Sequence, residues 1–143
     1  MGNKKNIMRK VKTALISLSD KSYLNPLLKE LKKNNIKIIS SGGTFKEIRK
    51  LKFKCLEVSD FTGFNEILEG RVKTLHPKIH SGILNKRNKN SHLKDMKKNN
   101  FENIDLVIVN FYPFEKTVKQ TNSHFKILDN IDIGGPTMVR AAA

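Results

Sequence analysis

A single cysteine, Cys55, excludes an internal disulfide, and its place in the run Phe53-Lys54-Cys55-Leu56 reads as a buried, inert thiol rather than a nucleophile. Tryptophan is absent, and Tyr23 and Tyr112 are the only tyrosines, so the chain lacks the aromatic platforms on which nucleic-acid bases stack. No apolar run approaches the roughly 20 residues that span a bilayer. No block of signal-peptide length follows the basic start (Lys4, Lys5, Arg9, Lys10, Lys12), because Ser17, Ser19, Asp20 and Lys21 interrupt the first apolar run. Residues 1–12 are read as a basic flexible N-terminus and the protein as cytoplasmic, with no membrane partner. Acidic residues are scarce too: 13 against 28 lysines and arginines, for a formal net charge of +15. That charge invites nucleic acid. Lysine, however, supplies 23 of the 28 cations and is scattered, beside 15 asparagines and 14 isoleucines. The pattern is a bias spread over the whole chain rather than one binding face. No specific nucleic-acid partner is expected, only polyanion binding that fades as salt rises.

What is present is an alternation. Residues 13–17, 37–40, 54–58 and 105–110 are short apolar runs bounded by polar residues and read as strands. Residues 22–34 space Tyr23, Leu24, Leu27, Leu28 and Leu31 for one helical face, with Pro26 in the first turn. Shorter helices are expected over 45–51, 91–99, 115–120 and after Gly135. Residues 59–90 are expected to be loop-rich, with helical pieces near 65–68 and 79–84. Strands alternating with helices predict an α/β fold: a three-layer, mainly parallel sheet with helices on both faces. Ligands of such sheets bind beyond the C-terminal ends of the strands. The polar clusters follow the strands, at Ser19-Asp20-Lys21, Ser41 to Thr44, Ser59-Asp60 and Asn110 to Pro113.

Several clusters carry two readings each. Ser41-Gly42-Gly43-Thr44 is either an anion-holding loop at a helix N-terminus or a plain turn with Thr44 as N-cap. It lacks the Gly-Lys-Ser/Thr of a Walker loop and the spacing of a dinucleotide loop. Ser19-Asp20-Lys21 is an ordinary helix start or a ligand loop. The segment from Gly70 to Gly82 packs Arg71, Lys73, Thr74, His76, Lys78 and His80 around Pro77, which argues against a continuous helix and for an anion-binding loop. His76 and His80 stand four apart, yet no cysteine or carboxylate cluster completes a tetrahedral set, so no metal site is expected. Asp132, ahead of Gly134-Gly135-Pro136, is a helix cap or a carboxylate delivered to a pocket. Tyr112 is a packed aromatic or a hydroxyl at the working edge of the sheet.

Six segments, in order, resemble the N-terminal inosine monophosphate cyclohydrolase domain of the bifunctional purine-biosynthesis enzyme. They are Leu18-Ser19-Asp20-Lys21, Ser41-Gly42-Gly43-Thr44, Val58-Ser59-Asp60-Phe61-Thr62-Gly63-Phe64, Gly70-Arg71-Val72-Lys73-Thr74-Leu75-His76-Pro77, Asn110-Phe111-Tyr112-Pro113-Phe114 and Ile131-Asp132-Ile133-Gly134-Gly135-Pro136-Thr137. The resemblance covers residues 13–143 and implies a methylglyoxal-synthase-like domain. The implied reaction is dehydrative closure of a formylated aminoimidazole carboxamide ribonucleotide to inosine monophosphate, without cofactor or metal. Folate would belong only to the transformylase domain, which this chain does not contain. By resemblance, Lys73 stabilises the oxyanion, Asp132 is the catalytic aspartate and Tyr112 stands near the reacting groups. Ser19, Lys21, Ser41, Gly42, Gly43, Thr44, Arg71 and Thr74 match positions that hold the nucleotide, chiefly its phosphate. Asn110, Gly134 and Gly135 match positions around the base. A homodimer is implied as well. In the family, the helix carrying Arg140 to Ala143 runs on into a further catalytic lysine. The expectation is therefore an incomplete cyclohydrolase domain whose activity is impaired. Two other readings are a regulatory nucleotide- or phosphate-binding module without catalysis, and methylglyoxal synthase itself.

Overall fold

The structure is a computed structural model that describes residues 9–143. Residues 1–8 of the expected basic segment lie outside the described residues. Four strands form one all-parallel sheet: β1 (Thr13–Leu18), β2 (Lys37–Ser40), β3 (Leu56–Glu57) and β4 (Leu106–Asn110), in the order β3-β2-β1-β4. β1 pairs with β2 from Thr13↔Lys37 to Ile16↔Ser40, and with β4 from Ala14↔Leu106 to Leu18↔Asn110. All four strands therefore end on one edge of the sheet. The strand order reverses beside β1, which opens a crevice between its end and that of β4.

Alternation along β1 splits the core in two. Ala14 and Ile16 face a cluster with Ile38 of β2. Helix α1 (Leu24–Lys33) adds Leu24, Leu28 and Leu31, and α2 (Gly42–Lys50) adds Ile48. Leu15 and Ile39 face the opposite cluster. There α3 (Val58–Thr62) brings Val58 and Phe61, and α4 (Pro77–Leu84) brings Ile79. The predicted three layers are thus present, with each buried leucine or isoleucine worth about 1.5–3 kcal/mol of removed apolar surface. A polar helix, α5 (Asn90–Lys98), contributes only Met96 to the interior. α6 (Phe114–Gln120) and α7 (His124–Asp129) bury no residue fully. α8 (Gly134–Ala142) returns to the sheet with Met138 in the second cluster. No helix among the described residues is long and apolar enough to cross a membrane.

Several expectations need correction. β3 is two residues long rather than five, because the chain turns at Val58 into α3, which Gly63 ends in the left-handed conformation at φ 74°. The helical piece expected near 65–68 is a 3-10 turn over Leu68–Gly70. α2 starts at Gly42, not Phe45, so both glycines lie in its first turn. Pro77 opens α4 instead of lying in a loop, with its missing N–H at a helix start. α7 was not anticipated. β4 is an edge strand with every residue half-buried.

The edge opposite the crevice is closed by one carboxylate. Asp105 accepts from Lys12 N (2.7 Å) and Thr13 N (2.9 Å) and pairs with the Arg87 guanidinium. Partial burial pushes its carboxyl upward, but these donors outweigh it and hold it below the usual carboxylate range.

Candidate functional site

At the strand ends lies a cleft of about 760 Å³. All fourteen residues singled out in the sequence line it. Its floor is the start of α2. Ser41, extended at φ −142°, is the N-cap, and no side chain caps the N–H groups of Gly42, Gly43 and Thr44. Donors of a first helical turn have no intrahelical acceptor and favour an anion. Ser41 is buried, and its hydroxyl makes no hydrogen bond among the described residues. Thr44 is neither the N-cap nor a free hydroxyl. Its Oγ1 accepts from Leu18 N and donates to Leu18 O, both at 2.9 Å, which ties α2 to the end of β1. Only its backbone N–H remains to meet a ligand.

Glycine lets the polar side chains crowd together. A Cβ on Gly42, at φ 54°, would stand 2.7 Å from Lys73 Nζ. One on Gly134 would stand 2.5 Å from Thr74 Oγ1, and one on Gly135 2.5 Å from Asp132 Oδ2. A Cβ on Gly70, at φ 83°, would land on the Glu66 carboxylate. Lys73, Thr74 and Asp132 thus each stand where a side chain on a neighbouring segment would otherwise be.

The cations of the cleft are already engaged. Lys21 Nζ donates to Ser19 O at 3.0 Å. Lys73 Nζ pairs with Glu66 Oε1 at 3.1 Å, and Arg71 Nη2 with Asp129 Oδ1 at 2.5 Å. Glu66 and Asp129 were not anticipated, since nothing in the spacing of a lone acidic residue marks it as an ion-pair partner. The loop is closed by His76, which caps α4 by accepting from Lys78 N at 3.1 Å through Nδ1 and packs against Phe64. Partial burial, then the nearby Lys78 ammonium, push its imidazole below the usual value. No group of three His, Cys, Asp or Glu that could hold a metal occurs among the described residues.

Asn110 and Asp132 do more than line the cleft. Asn110 Oδ1 accepts from Ser19 N (2.6 Å) and Asp20 N (3.1 Å), and its Nδ2 donates to Asp20 O (2.8 Å). The carboxamide is spent on holding the β1–α1 loop against β4. Asp132 Oδ1 accepts from Gly135 N at 2.9 Å, so it caps α8 while its other oxygen stays in the cleft. The two readings of Asp132 are therefore compatible. Tyr112 is half-exposed at the rim. Cys55 lies outside the cleft and is half-buried rather than buried, and that partial burial pushes its thiol up to about 12.

This geometry can take an anion at the start of α2, where Lys73 Nζ also stands, with the Asp132 carboxylate and the Tyr112 phenol lining the same cleft. Comparison with known proteins places the chain among relatives of the same fold. The family described as MGS-like domain matches residues 23–137. The bifunctional purine biosynthesis protein PurH of Prochlorococcus marinus is 56% identical over 131 residues, which are 91% of this chain and 25% of that protein. PurH of Acetivibrio thermocellus is 49% identical over 134 residues, 93% of this chain and 26% of that one. The chain thus spans about a quarter of the length of these curated relatives. The crystal structure of ForH superposes with a TM-score of 0.78 at 29% identity, covering 92% of this chain and 67% of that one. With the sheet order, the cleft and these matches in agreement, the chain belongs to the MGS-like domain family.

Proposed function

We propose that the cleft binds a purine ribonucleotide and closes the formylated aminoimidazole carboxamide ribonucleotide to inosine monophosphate, as one step of purine biosynthesis. The observation that carries this reading is the convergence of the α2 N–H groups, Lys73 and Asp132 in one cleft, in a chain about half identical to PurH proteins. A volume of about 760 Å³ lies within the range of about 300–1,000 Å³ usual for small-molecule sites.

In this reading the phosphate sits against the N–H groups of Gly42 to Thr44, with the Ser41 hydroxyl, Lys21 and Arg71 around it. The carboxamide nitrogen attacks the formyl carbon, forming the C–N bond while the carbonyl pair moves onto oxygen. Lys73 faces that oxygen, and a cation fixed there stabilises charge that exists only after attack. The Asp132 carboxylate takes the nitrogen proton, and the carbinolamine then loses water to give the aromatic ring. Holding a poor nucleophile against a poor electrophile supplies several kcal/mol by itself. The scheme needs no metal or cofactor. By the same resemblance the working unit is a homodimer.

The test is direct. The purified chain mixed with the formylated substrate should raise the absorbance of the purine product, and Lys73→Ala should slow this by about 10²–10³-fold. Binding of inosine monophosphate without turnover in any variant would favour a nucleotide-binding module instead. Turnover of dihydroxyacetone phosphate in its place would favour methylglyoxal synthase chemistry.

A further inference from the structure

Ser17 lines the cleft and has no part in the scheme above. It breaks the pattern of its own strand face. Leu15, two residues earlier, is buried in the second core cluster, and Val109, the register partner of Ser17 on β4, packs against that cluster. Side chains two apart on a strand share a face. Ser17 therefore lies on the side of the sheet covered by α8, where Met138 is buried and also lines the cleft. The body of α2 lies on the opposite side, with Ile48 packed beside Ala14 and Ile16. Ser17 is half-buried, and its hydroxyl makes no hydrogen bond among the described residues. Its apolar neighbours offer no partner, so its donor and acceptor remain for whatever enters the cleft.

The same side holds Asp132. Gly135 and Met138, one turn apart, are the buried residues of α8 and mark the face it turns to the sheet. Asp132 Oδ2 stands 2.5 Å from where a Gly135 Cβ would be, so this oxygen lies on that sheet-ward face. The Ser17 hydroxyl and the Asp132 carboxylate thus line the α8 side of one cleft. The first can donate a hydrogen bond, and the second only accepts.

We propose that this donor and acceptor together fix the rotamer of the substrate carboxamide, and that Ser17 is the residue that holds its oxygen. The inference rests on the ring-closure reading above and deepens it. A primary carboxamide carries an oxygen on one side and an NH₂ on the other, and half a turn about its bond to the ring exchanges them. Only the nitrogen can close the purine ring. A carboxylate attracts the NH₂ and repels the oxygen, while a hydroxyl donates to the oxygen. With both in place, the nitrogen faces the formyl carbon and the proton it must lose points at Asp132. In the product the same oxygen is the 6-oxygen of inosine monophosphate, so Ser17 still holds it after closure.

The experiment is titration calorimetry with inosine 5′-monophosphate and with purine ribonucleoside 5′-monophosphate, which carries hydrogen in place of the 6-oxygen. Ser17→Ala should weaken the first by about 3–10-fold, the worth of one hydrogen bond, and change the second by less than about twofold. Ser41→Ala, at the α2 end of the cleft, should weaken both alike. With the formylated substrate, Ser17→Ala should lower kcat by about 3–10-fold while the melting temperature stays within about two degrees of the parent. Equal weakening of the two nucleotides by Ser17→Ala, unchanged affinity for inosine monophosphate or an unchanged kcat would overturn the role of Ser17 and leave the ring-closure reading standing. A parent chain that does not turn over the formylated substrate would overturn both.

Discussion

Single atoms decide who may stand in the cleft. At Gly135 an alanine would favour helix by about 1 kcal/mol, yet its Cβ would meet Asp132 Oδ2 at 2.5 Å and the Phe111 ring at 2.9 Å. Gly135→Ala should therefore leave the melting temperature within a few degrees of the parent while cutting nucleotide turnover by roughly 10-fold or more, since a displacement near 1 Å at a reacting group is costly. Retained turnover would show that Asp132 does not need its present position. Two neighbouring hydroxyls separate in the same way. Thr44→Val strips the Leu18 backbone of the hydroxyl that both donates to it and accepts from it in a part-buried place, and should cost about 1–3 kcal/mol in denaturant unfolding. Ser41→Ala removes a hydroxyl with no hydrogen-bond partner among the described residues, so stability should move by less than about 0.5 kcal/mol. Its effect should appear in phosphate affinity instead.

Among the elements, α4 and β4 begin on titratable groups, and each gives a signed pH dependence. His76 caps α4 through an unprotonated Nδ1, and its folded imidazole lies below the usual value. The cap is intact above about pH 6.5, the ordinary histidine value, and is lost as pH falls through the lower folded value. Thermal melts of the parent should drop between neutral and mildly acidic pH, and His76→Asn, which caps without titrating, should flatten that slope. Asp105 obeys the carboxylate version. Its contribution is present above about pH 4 and is lost as pH falls through its depressed folded value. Asp105→Asn should cost roughly 2–3 kcal/mol at neutral pH by weakening the Arg87 pair. Legibility varied along the chain for physical reasons. β1, α1 and β2 were readable because each buries a repeating apolar face, β4 because it is an unbroken apolar run, and the alternation of Ala14, Leu15 and Ile16 already implied a sheet covered on both sides. α3 and α7, with five and six residues, have no period to read. Gly63 and Ser123 were their only signals, as a left-handed stop and an N-cap. The cleft residues were legible through family motifs rather than through spacing. The positions of Glu66 and Asp129, and the commitment of Thr44 and Asn110 to the backbone, are products of tertiary approach.

For the whole molecule, the net charge of +15 exceeds what one small anionic ligand requires. Adsorption to heparin or duplex DNA should fall by about 10²-fold or more between roughly 50 and 200 mM salt, because many released counterions are involved. Binding of inosine monophosphate should fall far less over the same range, since one phosphate is engaged. A steep loss of both together would mean that the nucleotide is held by the general field rather than by the cleft. The sheet order carries a different consequence, one of timing. β1 leaves the ribosome before either neighbour, and β2 can pair with it about twenty residues later. Its other neighbour, β4, and with it the Asn110 carboxamide that fixes Ser19 and Asp20, is made some ninety residues afterwards. The Ser19–Asp20 loop, made well before β4, is therefore fixed only once β4 is in place. During that interval the β1 edge that β4 will cover stays unpaired, so a chain stalled before residue 106 should aggregate more readily than one carried past it.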